Sequence, residues 1–266
     1  MEIKTLGIFG CGGLSEIVVD ALINGLLPNY RLIGTMSRTL SSAQYLANKV
    51  NSVQKATHCD AFDSIDNFLA LKPDVIVETA SPSALKTFML EALKNGSSVV
   101  PLSMGAFADD EFYEEVQKTA LKSGAKVYIP SGAIGGLDVL RTVSLMEKAS
   151  VKFNTEKSPD PLVNSEVYDE QMKTLRREVF NGNAKEAIAL FPTQVNVSVA
   201  AALASVGTND INVSINTTPD YIGDEHCITI NSEDISAKLC IYSKTAKIAG
   251  WSVVNTLRNI TSPIVF

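Results

Sequence analysis

The sequence predicts an α/β fold, a doubly wound and mostly parallel sheet, followed by a second α+β domain. Short apolar runs alternate with segments of helical periodicity through the first half of the chain. A glycine-rich turn follows the first of these runs, and alternating strand patterns dominate the second half. The 266 residues are 45% hydrophobic and 20% charged, which is enough apolar material for one large domain or two smaller ones.

Charge and composition favour a protein that handles small molecules. A net charge of −6 and a pI near 5.1 argue against nucleic acid or an anionic membrane as a partner. No run of about 18 apolar residues and no signal-peptide pattern is present, so we expect a cytoplasmic protein. The four cysteines show no C-x-x-C spacing and only two histidines accompany them, which predicts reduced thiols and no metal site.

The elements of the first half alternate in order. The first strand covers residues 5–9, and apolar residues at helical spacing predict a helix over 14–26, before Pro28. Further strands are predicted over 30–36, 74–78, 98–102 and 126–129, and further helices over 41–50, 64–71, 83–95 and 109–123. The first domain is therefore expected to span residues 1–130.

The pattern of turn residues changes at residues 131–138, and a connecting helix is predicted after it, over residues 139–148. Beyond it the patterns predict helices over 184–191 and 196–207 and strands over 151–155, 211–217, 226–232 and 235–242. We expect an α+β domain over residues 131–243. The last segment, residues 244–266, opens with a helical pattern over 244–259 that is apolar enough to need a partner surface, so it is expected to return to the first domain.

A glycine-rich turn follows the first strand. Gly10-Cys11-Gly12-Gly13-Leu14-Ser15 matches the pattern G-x-G-x-x-G except that Ser15 replaces the last glycine. A sharp turn at Gly10 and the missing side chain at Gly12 let a phosphate approach the backbone, and the following helix supplies free N–H groups and a positive end. A strand before and an amphipathic helix after the motif are the context it requires. The turn predicts a Rossmann-type dinucleotide site, with a plain tight turn as the alternative.

The end of the second strand predicts which dinucleotide binds. An acid there would hold the ribose 2′-hydroxyl of NAD, but this chain has Met36-Ser37-Arg38-Thr39. Ser37 can donate a hydrogen bond, and the guanidinium of Arg38 can pair with a 2′-phosphate. We expect NADP in preference to NAD. The alternative is that Arg38 stacks on the adenine of either cofactor.

Small residues follow several predicted strands at their carboxyl ends, where ligands of open α/β sheets bind. The candidate cofactor contacts are Gly10, Cys11, Gly12, Gly13, Leu14, Ser37, Arg38, Ala80, Ser81, Pro82, Ser103 and Ala106. Ser131 and the N–H groups of Gly132 and Ala133 are candidates to hold a substrate carboxylate. The alternative for all these small residues is ordinary turn chemistry.

Motifs in both halves closely resemble the L-aspartate dehydrogenase family. They are Pro130-Ser131-Gly132-Ala133-Ile134-Gly135-Gly136-Leu137-Asp138, Leu190-Phe191-Pro192 leading to Val195-Asn196-Val197, Ala80-Ser81-Pro82, Ala106-Phe107-Ala108-Asp109, the histidine turn before Ile228, and Leu257-Arg258-Asn259. The resemblance covers nearly the whole chain. It implies a nucleotide domain with an inserted substrate domain and a returning C-terminal helix. It also implies the oxidation of L-aspartate at its α-carbon to iminosuccinate, or the reverse reaction, with NAD or NADP and in a homodimer.

His226 is the candidate catalytic residue. It is one of two histidines, it follows the polar turn Gly223-Asp224-Glu225, and it opens a predicted strand. Imidazole titrates near neutrality and can move a proton to or from a substrate amine or a water. The resemblance implies that His226 is the family's catalytic histidine, whereas its alternative is a half-exposed structural role. His58 is expected to be an ordinary surface residue.

Several positions depart from the family pattern. Asp224 stands where the family usually has asparagine, and a carboxylate there is expected to raise the pKa of His226 and to repel an anionic substrate. Thr193-Gln194 replaces an Arg-Asn pair, so a cation is missing that would offset the desolvation of a dicarboxylate.

The family's Asn-Pro-Lys-Thr segment appears as Tyr242-Ser243-Lys244-Thr245 and keeps only its last two residues. Lys244 is the candidate to bind a carboxylate, with a surface lysine at the start of a helix as its alternative. Asn196 and Thr245 complete the set of candidate substrate ligands.

The sequence therefore predicts an NAD(P)-dependent amino-acid dehydrogenase that resembles L-aspartate dehydrogenase. One alternative keeps the cofactor and changes the substrate to another small amino or hydroxy acid, as the altered positions would permit. A second alternative is a non-catalytic NADP-binding regulatory protein.

Overall fold

Five parallel strands form the sheet of the first unit. The computed structural model describes residues 3–266. The strands are β1 (Lys4–Phe9), β2 (Tyr30–Met36), β3 (Asp60–Phe62), β4 (Val75–Glu78) and β5 (Ser98–Pro101), in the order β3-β2-β1-β4-β5. This order is that of a doubly wound dinucleotide-binding sheet. The predicted Rossmann-type fold is confirmed, although the three-residue β3 was not predicted.

Helices follow these strands, and the later ones begin at residues whose side chains cap them. They are α1 (Gly13–Ile23), α2 (Leu40–Asn51), α3 (Ile65–Leu69), α4 (Pro82–Lys94) and α5 (Asp110–Ser123). Ser81 accepts the backbone N–H of Ala84 at the start of α4, and Asp109 accepts that of Phe112 at the start of α5. Side-chain acceptors at these positions satisfy N–H groups that the first helical turn leaves unpaired. Local sequence therefore fixes where α4 and α5 begin.

The strand predicted over residues 126–129 is wrong. Val127 makes a single parallel bridge with Val99, through the bonds Val99 N–H to Lys126 O and Tyr128 N–H to Val99 O, both 2.9 Å. The next bond of a parallel ladder would need an N–H at Pro101, and proline has none. The ladder consequently ends after one bridge.

The last helix, α9 (Lys247–Ile260), returns to the first unit. Val253, Val254 and Leu257 are buried in the core of that unit, and the hydroxyl of Tyr30 donates to the Leu257 carbonyl at 2.9 Å. Residues up to Pro130 together with Ala249–Phe266 form this unit, and Ser131–Ile248 form the second. The predicted return of the C-terminal helix is confirmed.

A mixed sheet forms the second unit, in the order β10-β9-β6-β8-β7. Its strands are β6 (Ser150–Lys157), β7 (Arg177–Gly182), β8 (Asn212–Thr217), β9 (Asp224–Asn231) and β10 (Ser236–Ser243), and its helices are α6 (Leu137–Met146), α7 (Ala184–Leu190) and α8 (Asn196–Leu203). Only the β6·β8 pair is parallel. The predicted α+β class is confirmed. The edge strand β7 was missed because its sequence, REVFNG, carries little apolar alternation.

Two of the four cysteines form a disulfide, so the prediction of reduced thiols is wrong for Cys227 and Cys240. These residues lie directly opposite each other on the antiparallel strands β9 and β10, with their Cα atoms 4.1 Å apart. The pairing depends on strand register, which a search for C-x-x-C spacing does not test. Cys11 and Cys59 are free.

No helix within residues 3–266 has the length and apolar character needed to cross a membrane. Over the same range, no group of three or more His, Cys, Asp or Glu side chains is placed to hold a metal ion.

Candidate functional site

The turn between β1 and α1 requires glycine at its first position. Gly10 has φ +94°, and a Cβ atom built there would lie 2.8 Å from the backbone nitrogen of Ala80. Gly12 and Gly13 meet no atom within 4 Å of such a Cβ, and Gly12 is the N-terminal cap of α1. The three glycines therefore have different consequences. Gly10 lets the turn pack on Ala80, and Gly12 and Gly13 leave the helix N-terminus open to a ligand.

Ser15 replaces the third glycine of the fingerprint and is fully buried. Its hydroxyl donates to the Gly10 carbonyl at 2.5 Å, and the hydroxyl of Thr79 donates to the same carbonyl at 2.8 Å. The two hydroxyls also lie 3.2 Å apart. Ser15 thus does more than fit in the space of a glycine, because it ties the helix back to the turn.

A cavity of about 520 Å³ lies at the carboxyl ends of β1, β2 and β4. Among the predicted cofactor contacts, those that line it are Gly10, Cys11, Gly12, Ser37, Arg38, Ala80 and Ser81. No carboxylate belongs to the described lining, whose one charged side chain is the exposed Arg38. The glycine turn, this space and its single cation fit a dinucleotide, in the crevice where open α/β sheets bind ligands.

The remaining predicted cofactor contacts do not line this cavity. Gly13 and Leu14 belong to the first turn of α1, and Pro82 is the first residue of α4. Ser103 and Ala106 follow β5 and are 5% and 1% exposed, so their side chains offer little surface to a ligand in this structure.

Glu78 is a buried carboxylate at the end of β4 that the sequence analysis did not single out. Oε1 accepts from the Ala80 backbone N–H at 2.6 Å and from the Ser103 hydroxyl at 2.8 Å, and Oε2 accepts from the Ser103 N–H at 3.1 Å. Burial raises the pKa of Glu78 to about 7, and these hydrogen bonds act in the opposite direction. The apolar residues before it, Val75 to Val77, indicate a buried strand. The nearby sequence does not indicate which groups would form hydrogen bonds with an acid at the end of that strand.

The second sheet becomes polar at one end of a face that is otherwise apolar. Strands β6, β8 and β9 bring neighbouring residues into successive layers on this face, which are Phe153, Val213 and Ile228, then Thr155, Ile215 and His226, then Lys157, Thr217 and Asp224. All but Asp224 are buried. We call Thr155, Lys157, Thr217, Asp224 and His226 the polar cluster.

His226 is held within this cluster through one ring nitrogen. Nδ1 forms a hydrogen bond of 2.9 Å with the hydroxyl of Thr155, and the imidazole stacks on Phe153 with 5.7 Å between ring centroids. The ring orientation is therefore set by packing and by one bond, and Nε2 is the nitrogen that takes no part in that bond. The half-exposed structural histidine considered from the sequence does not occur, since His226 is 6% exposed.

The net direction of the His226 pKa differs from the expected one. Burial lowers the pKa most, Asp224 raises it by less, as predicted in direction, and Lys157 also lowers it, so that the pKa falls below 6.5. Desolvation of the charged imidazolium outweighs the carboxylate because the ring is buried while Asp224 is 42% exposed. The imidazole is consequently neutral near pH 7 and has a lone pair to accept a proton.

Lys157 was also missed from the sequence. Its side chain is 6% exposed, and its Nζ lies 3.7 Å from a carboxylate oxygen of Asp224. A signal was present, because Val151, Phe153, Thr155 and Lys157 occupy alternate positions along one strand and so share its buried face. A lysine at the end of such an alternation is rarely buried without a partner.

The predicted carboxylate turn lies next to α8. Gly132 has φ +62°, and a Cβ atom there would lie 3.0 Å from Val197 Cγ1, so glycine allows the turn to pack against the helix start. Asn196 is the first residue of α8, and its side-chain amide donates to the Thr193 carbonyl at 3.3 Å. Ser131 accepts the Ile134 N–H through its carbonyl, closing the turn around Ala133.

The Lys244 side chain is exposed, and α9 begins three residues later than predicted. Thr245 is exposed as well; its hydroxyl accepts the Lys247 N–H at 3.4 Å, and its carbonyl accepts from the Ser243 hydroxyl at 3.1 Å. The backbone of this segment packs on Gly223, where a Cβ would meet the Ser243 carbonyl. The segment is therefore held beside Asp224, but the Lys244 ammonium forms no ion pair with the polar cluster among the described residues.

Family models match both parts of the chain. The model described as "Homoserine dehydrogenase, NAD binding domain" matches residues 10–130, and that described as "Aspartate dehydrogenase, C-terminal" matches residues 138–260. The L-aspartate dehydrogenase of Methanococcus maripaludis is 30% identical to this chain over 97% of both sequences. The chain belongs to the L-aspartate dehydrogenase family. The recognition made from the sequence motifs is confirmed.

Other members of the L-aspartate dehydrogenase family agree over the same extent. That of Methanothermobacter thermautotrophicus is 30% identical over 99% of this chain and 98% of its own. The crystal structure of aspartate dehydrogenase from Thermotoga maritima covers 100% of both chains with a TM-score of 0.74 and 28% identity. Dihydrodipicolinate reductase from Paenisporosarcina, at 13% identity and a TM-score of 0.57, shares the fold. As a member of this family, the chain is a nicotinamide-dependent oxidoreductase of the aspartate dehydrogenase type.

Proposed function

We propose that this protein oxidises L-aspartate at its α-carbon to iminosuccinate, or reduces iminosuccinate to L-aspartate, with NADP as its preferred cofactor. The observation that carries the proposal is a neutral, oriented His226 next to a buried cation, in a chain that is 30% identical to an L-aspartate dehydrogenase over 97% of its length. A proton acceptor and a cation are what an anionic amino acid requires for this reaction.

The residues of the first unit would hold the cofactor. The pyrophosphate would take the open N-terminus of α1 beyond Gly12, and the guanidinium of Arg38 would pair with the 2′-phosphate of NADP. When bound, the nicotinamide supplies the chemistry of hydride transfer to and from the substrate α-carbon. The preference for NADP is supported by the lining without a carboxylate, since an acid in this region is what selects NAD.

His226 would move the proton that accompanies this transfer. A substrate ammonium must lose one proton before its α-carbon can release hydride, and the resulting iminium then accepts water with the loss of a second proton. A neutral imidazole accepts either proton and returns it in the reverse direction. Thr155 fixes the ring through Nδ1, so Nε2 is the nitrogen we assign to proton transfer.

The assembly and location stay expectations from the sequence. The resemblance implies a homodimer, which light scattering on the purified protein tests directly. A cytoplasmic location stays an expectation, which fractionation of the producing cells tests.

Purified protein should change nicotinamide absorbance with L-aspartate and NADP⁺, and with oxaloacetate plus ammonia and NADPH, faster than with NAD⁺ or NADH. Turnover of another amino or hydroxy acid, without turnover of L-aspartate, would show that the enzyme has a different substrate. NADP binding by calorimetry with no turnover across that panel would instead support a regulatory protein and contradict the proposal.

A further inference from the structure

The buried Lys157 ammonium has an incomplete set of partners. Among residues 3–266 its ion-pair partner is Asp224, whose nearer oxygen lies 3.7 Å away, beyond hydrogen-bond distance. Burying an ammonium without hydrogen-bonding partners is unfavourable, so this position calls for a closer partner than Asp224. Burial indeed lowers the pKa of Lys157, and Asp224 only opposes this effect.

A second buried polar group in the same layer also lacks a partner. The hydroxyl oxygen of Thr217 is buried and has no hydrogen-bond partner within residues 3–266. Thr217 lies directly beside Lys157 in the register of β6 and β8, on the same face. An ammonium and a hydroxyl that both have hydrogen-bonding capacity to spare, side by side, form a pair of donors suited to a carboxylate.

The cluster also fixes where such a carboxylate would lie relative to the proton acceptor. Lys157 and His226 sit on adjacent strands in consecutive layers of the polar cluster, because Lys157 pairs with Asp224 and Thr155 with His226. Arg176 pairs with Glu156 at 2.6 Å, and Arg177, the first residue of β7, pairs with Asp169 at 2.9 Å. These two arginines already have carboxylate partners, so we do not assign them to the substrate carboxylate.

We propose that Lys157, assisted by the Thr217 hydroxyl, binds a carboxylate of the substrate. The Asp224 carboxylate pairs with the Lys157 ammonium until the substrate displaces it. The inference rests on the proposed function for the identity of the substrate, an anionic amino acid. It assigns the carboxylate to a buried lysine of β6 rather than to the exposed Lys244.

Asp224 acquires a defined role in this arrangement. Its carboxylate is 42% exposed, so it can rotate into solvent at low cost once a substrate carboxylate takes its place. The aspartate therefore acts as an internal competitor that weakens substrate binding while keeping Lys157 paired in the free protein. An asparagine at this position would remove the competition.

Succinate is the probe for this site, because it is a dicarboxylate without an amine and undergoes no dehydrogenation at an amino carbon. Its affinity for the NADP⁺-bound enzyme is measured by calorimetry for the wild type and for Lys157→Met, Lys157→Arg, Thr217→Val and Asp224→Asn. The matched control is Lys152→Met, which removes the same charge from an exposed position on the same strand.

We expect Lys157→Met to weaken succinate binding about tenfold to a hundredfold, the usual range for one charged hydrogen bond. Lys157→Arg should recover part of this loss, and Thr217→Val should weaken binding several-fold. Asp224→Asn should tighten binding, and Lys152→Met should leave it unchanged. With L-aspartate the same loss should fall on KM more than on kcat, which a merely structural lysine would not produce.

Unchanged succinate affinity in Lys157→Met, or no succinate binding by the wild type, overturns this inference. Equal or weaker binding in Asp224→Asn overturns the role of Asp224. Failure of the proposed function is separate, since it is read from wild-type turnover of L-aspartate: an enzyme that binds succinate through Lys157 but does not oxidise L-aspartate retains the carboxylate site and loses the substrate assignment. If Lys157→Met does not fold, the tightening in Asp224→Asn and the loss in Thr217→Val decide the question.

Discussion

Glu78 and Ser103 are joined by two hydrogen bonds, from the Ser103 hydroxyl to Oε1 at 2.8 Å and from its backbone N–H to Oε2 at 3.1 Å. The same carboxylate accepts the Ala80 N–H. Glu78 therefore fixes the backbone after β4 to the backbone after β5. Because Ala80 also contacts Gly10, this buried acid supports one wall of the cavity that Gly10 and Ala80 line.

The first prediction concerns the stability that Glu78 contributes at different pH values. Its pKa in the folded protein is raised from 4.5 to about 7, so the folded state binds a proton more tightly than the unfolded state. This contribution is complete below pH 4.5 and is lost as the pH rises through about 7. The loss is about 3 kcal/mol on an order-of-magnitude scale.

Urea unfolding from pH 4.5 to 8 should therefore show a flatter stability profile for Glu78→Gln than for the wild type. The difference between the two profiles isolates this one group from the other carboxylates. Glu91→Gln, an exposed acid of α4, is the control and should leave the profile unchanged. Parallel profiles for wild type and Glu78→Gln would contradict a raised pKa.

The second prediction separates the glycines of the turn. Gly10→Ala places a Cβ 2.8 Å from the Ala80 nitrogen at a positive φ, so it should cost about 2 kcal/mol of stability or more. Gly12→Val should cost at most about 1 kcal/mol of stability, as a poorer helix cap on an extended and open backbone, but should weaken NADPH binding about tenfold or more by blocking the helix N-terminus. Thermal melting and NADPH fluorescence titration distinguish the two effects. Equal melting temperatures for Gly10→Ala and wild type would refute the steric argument.

The third prediction tests cofactor preference at Arg38. Replacing the one charge of the described lining by aspartate should weaken NADP⁺ about tenfold to a hundredfold and improve NAD⁺, since an acid binds the ribose hydroxyls. The ratio of kcat/KM for the two cofactors is the measurement. Lys122→Asp, an exposed change of equal charge on α5, should not alter that ratio. A ratio that Arg38→Asp leaves intact would indicate that the arginine stacks on adenine.

The fourth prediction concerns His226. His226→Ala should reduce kcat about a hundredfold or more and leave NADPH affinity nearly intact, whereas His58→Ala should do neither. Because burial lowers the pKa of His226 below 6.5, kcat/KM for oxidation should rise with pH through a value below 6.5 and be level near neutrality.

Asp224 raises and Lys157 lowers that pKa, so Asp224→Asn should move the rise to still lower pH. No movement of the profile in Asp224→Asn would remove His226 as the group responsible. Full activity in His226→Ala would remove it from the proton transfer altogether.

The fifth prediction concerns the cysteines. Burial raises the pKa of both Cys11 and Cys59 to about 12, so iodoacetamide should modify neither at pH 8 in the folded protein. Peptide mapping without reductant should recover a single cross-linked pair, Cys227 with Cys240. Rapid labelling of Cys11 in the native protein would contradict its raised pKa.

Much of the first unit could be predicted because its signals are local. Apolar runs, the glycine fingerprint and capping residues such as Ser81 and Asp109 each act within a few positions. The strand expected over residues 126–129 failed because its ladder depends on Pro101, a residue from a different strand. The sequence of residues 126–129 gives no indication that the neighbouring strand lacks an N–H at Pro101.

The candidate site shows the same division. The glycine turn and Arg38 could be singled out from the sequence because their positions in the fingerprint are fixed, and their role in binding the cofactor stays a prediction. The partners of Glu78, the disulfide and the polar cluster depend on which strands pair and in which register, so Lys157 went unnoticed while the exposed Lys244 was favoured. The pKa of His226 was expected to rise because its charged neighbour is visible in the sequence and its burial is not.

The position of α9 also constrains how the chain folds during synthesis. Its residues Val253, Val254 and Leu257 belong to the core of the first unit, yet they leave the ribosome after all of Ser131–Ile248. The nucleotide-binding core therefore stays incomplete, with apolar surface exposed, throughout the translation of the second unit. We expect nascent chains that stop before α9 to be recognised by chaperones, and the cofactor to bind only after the helix has been delivered.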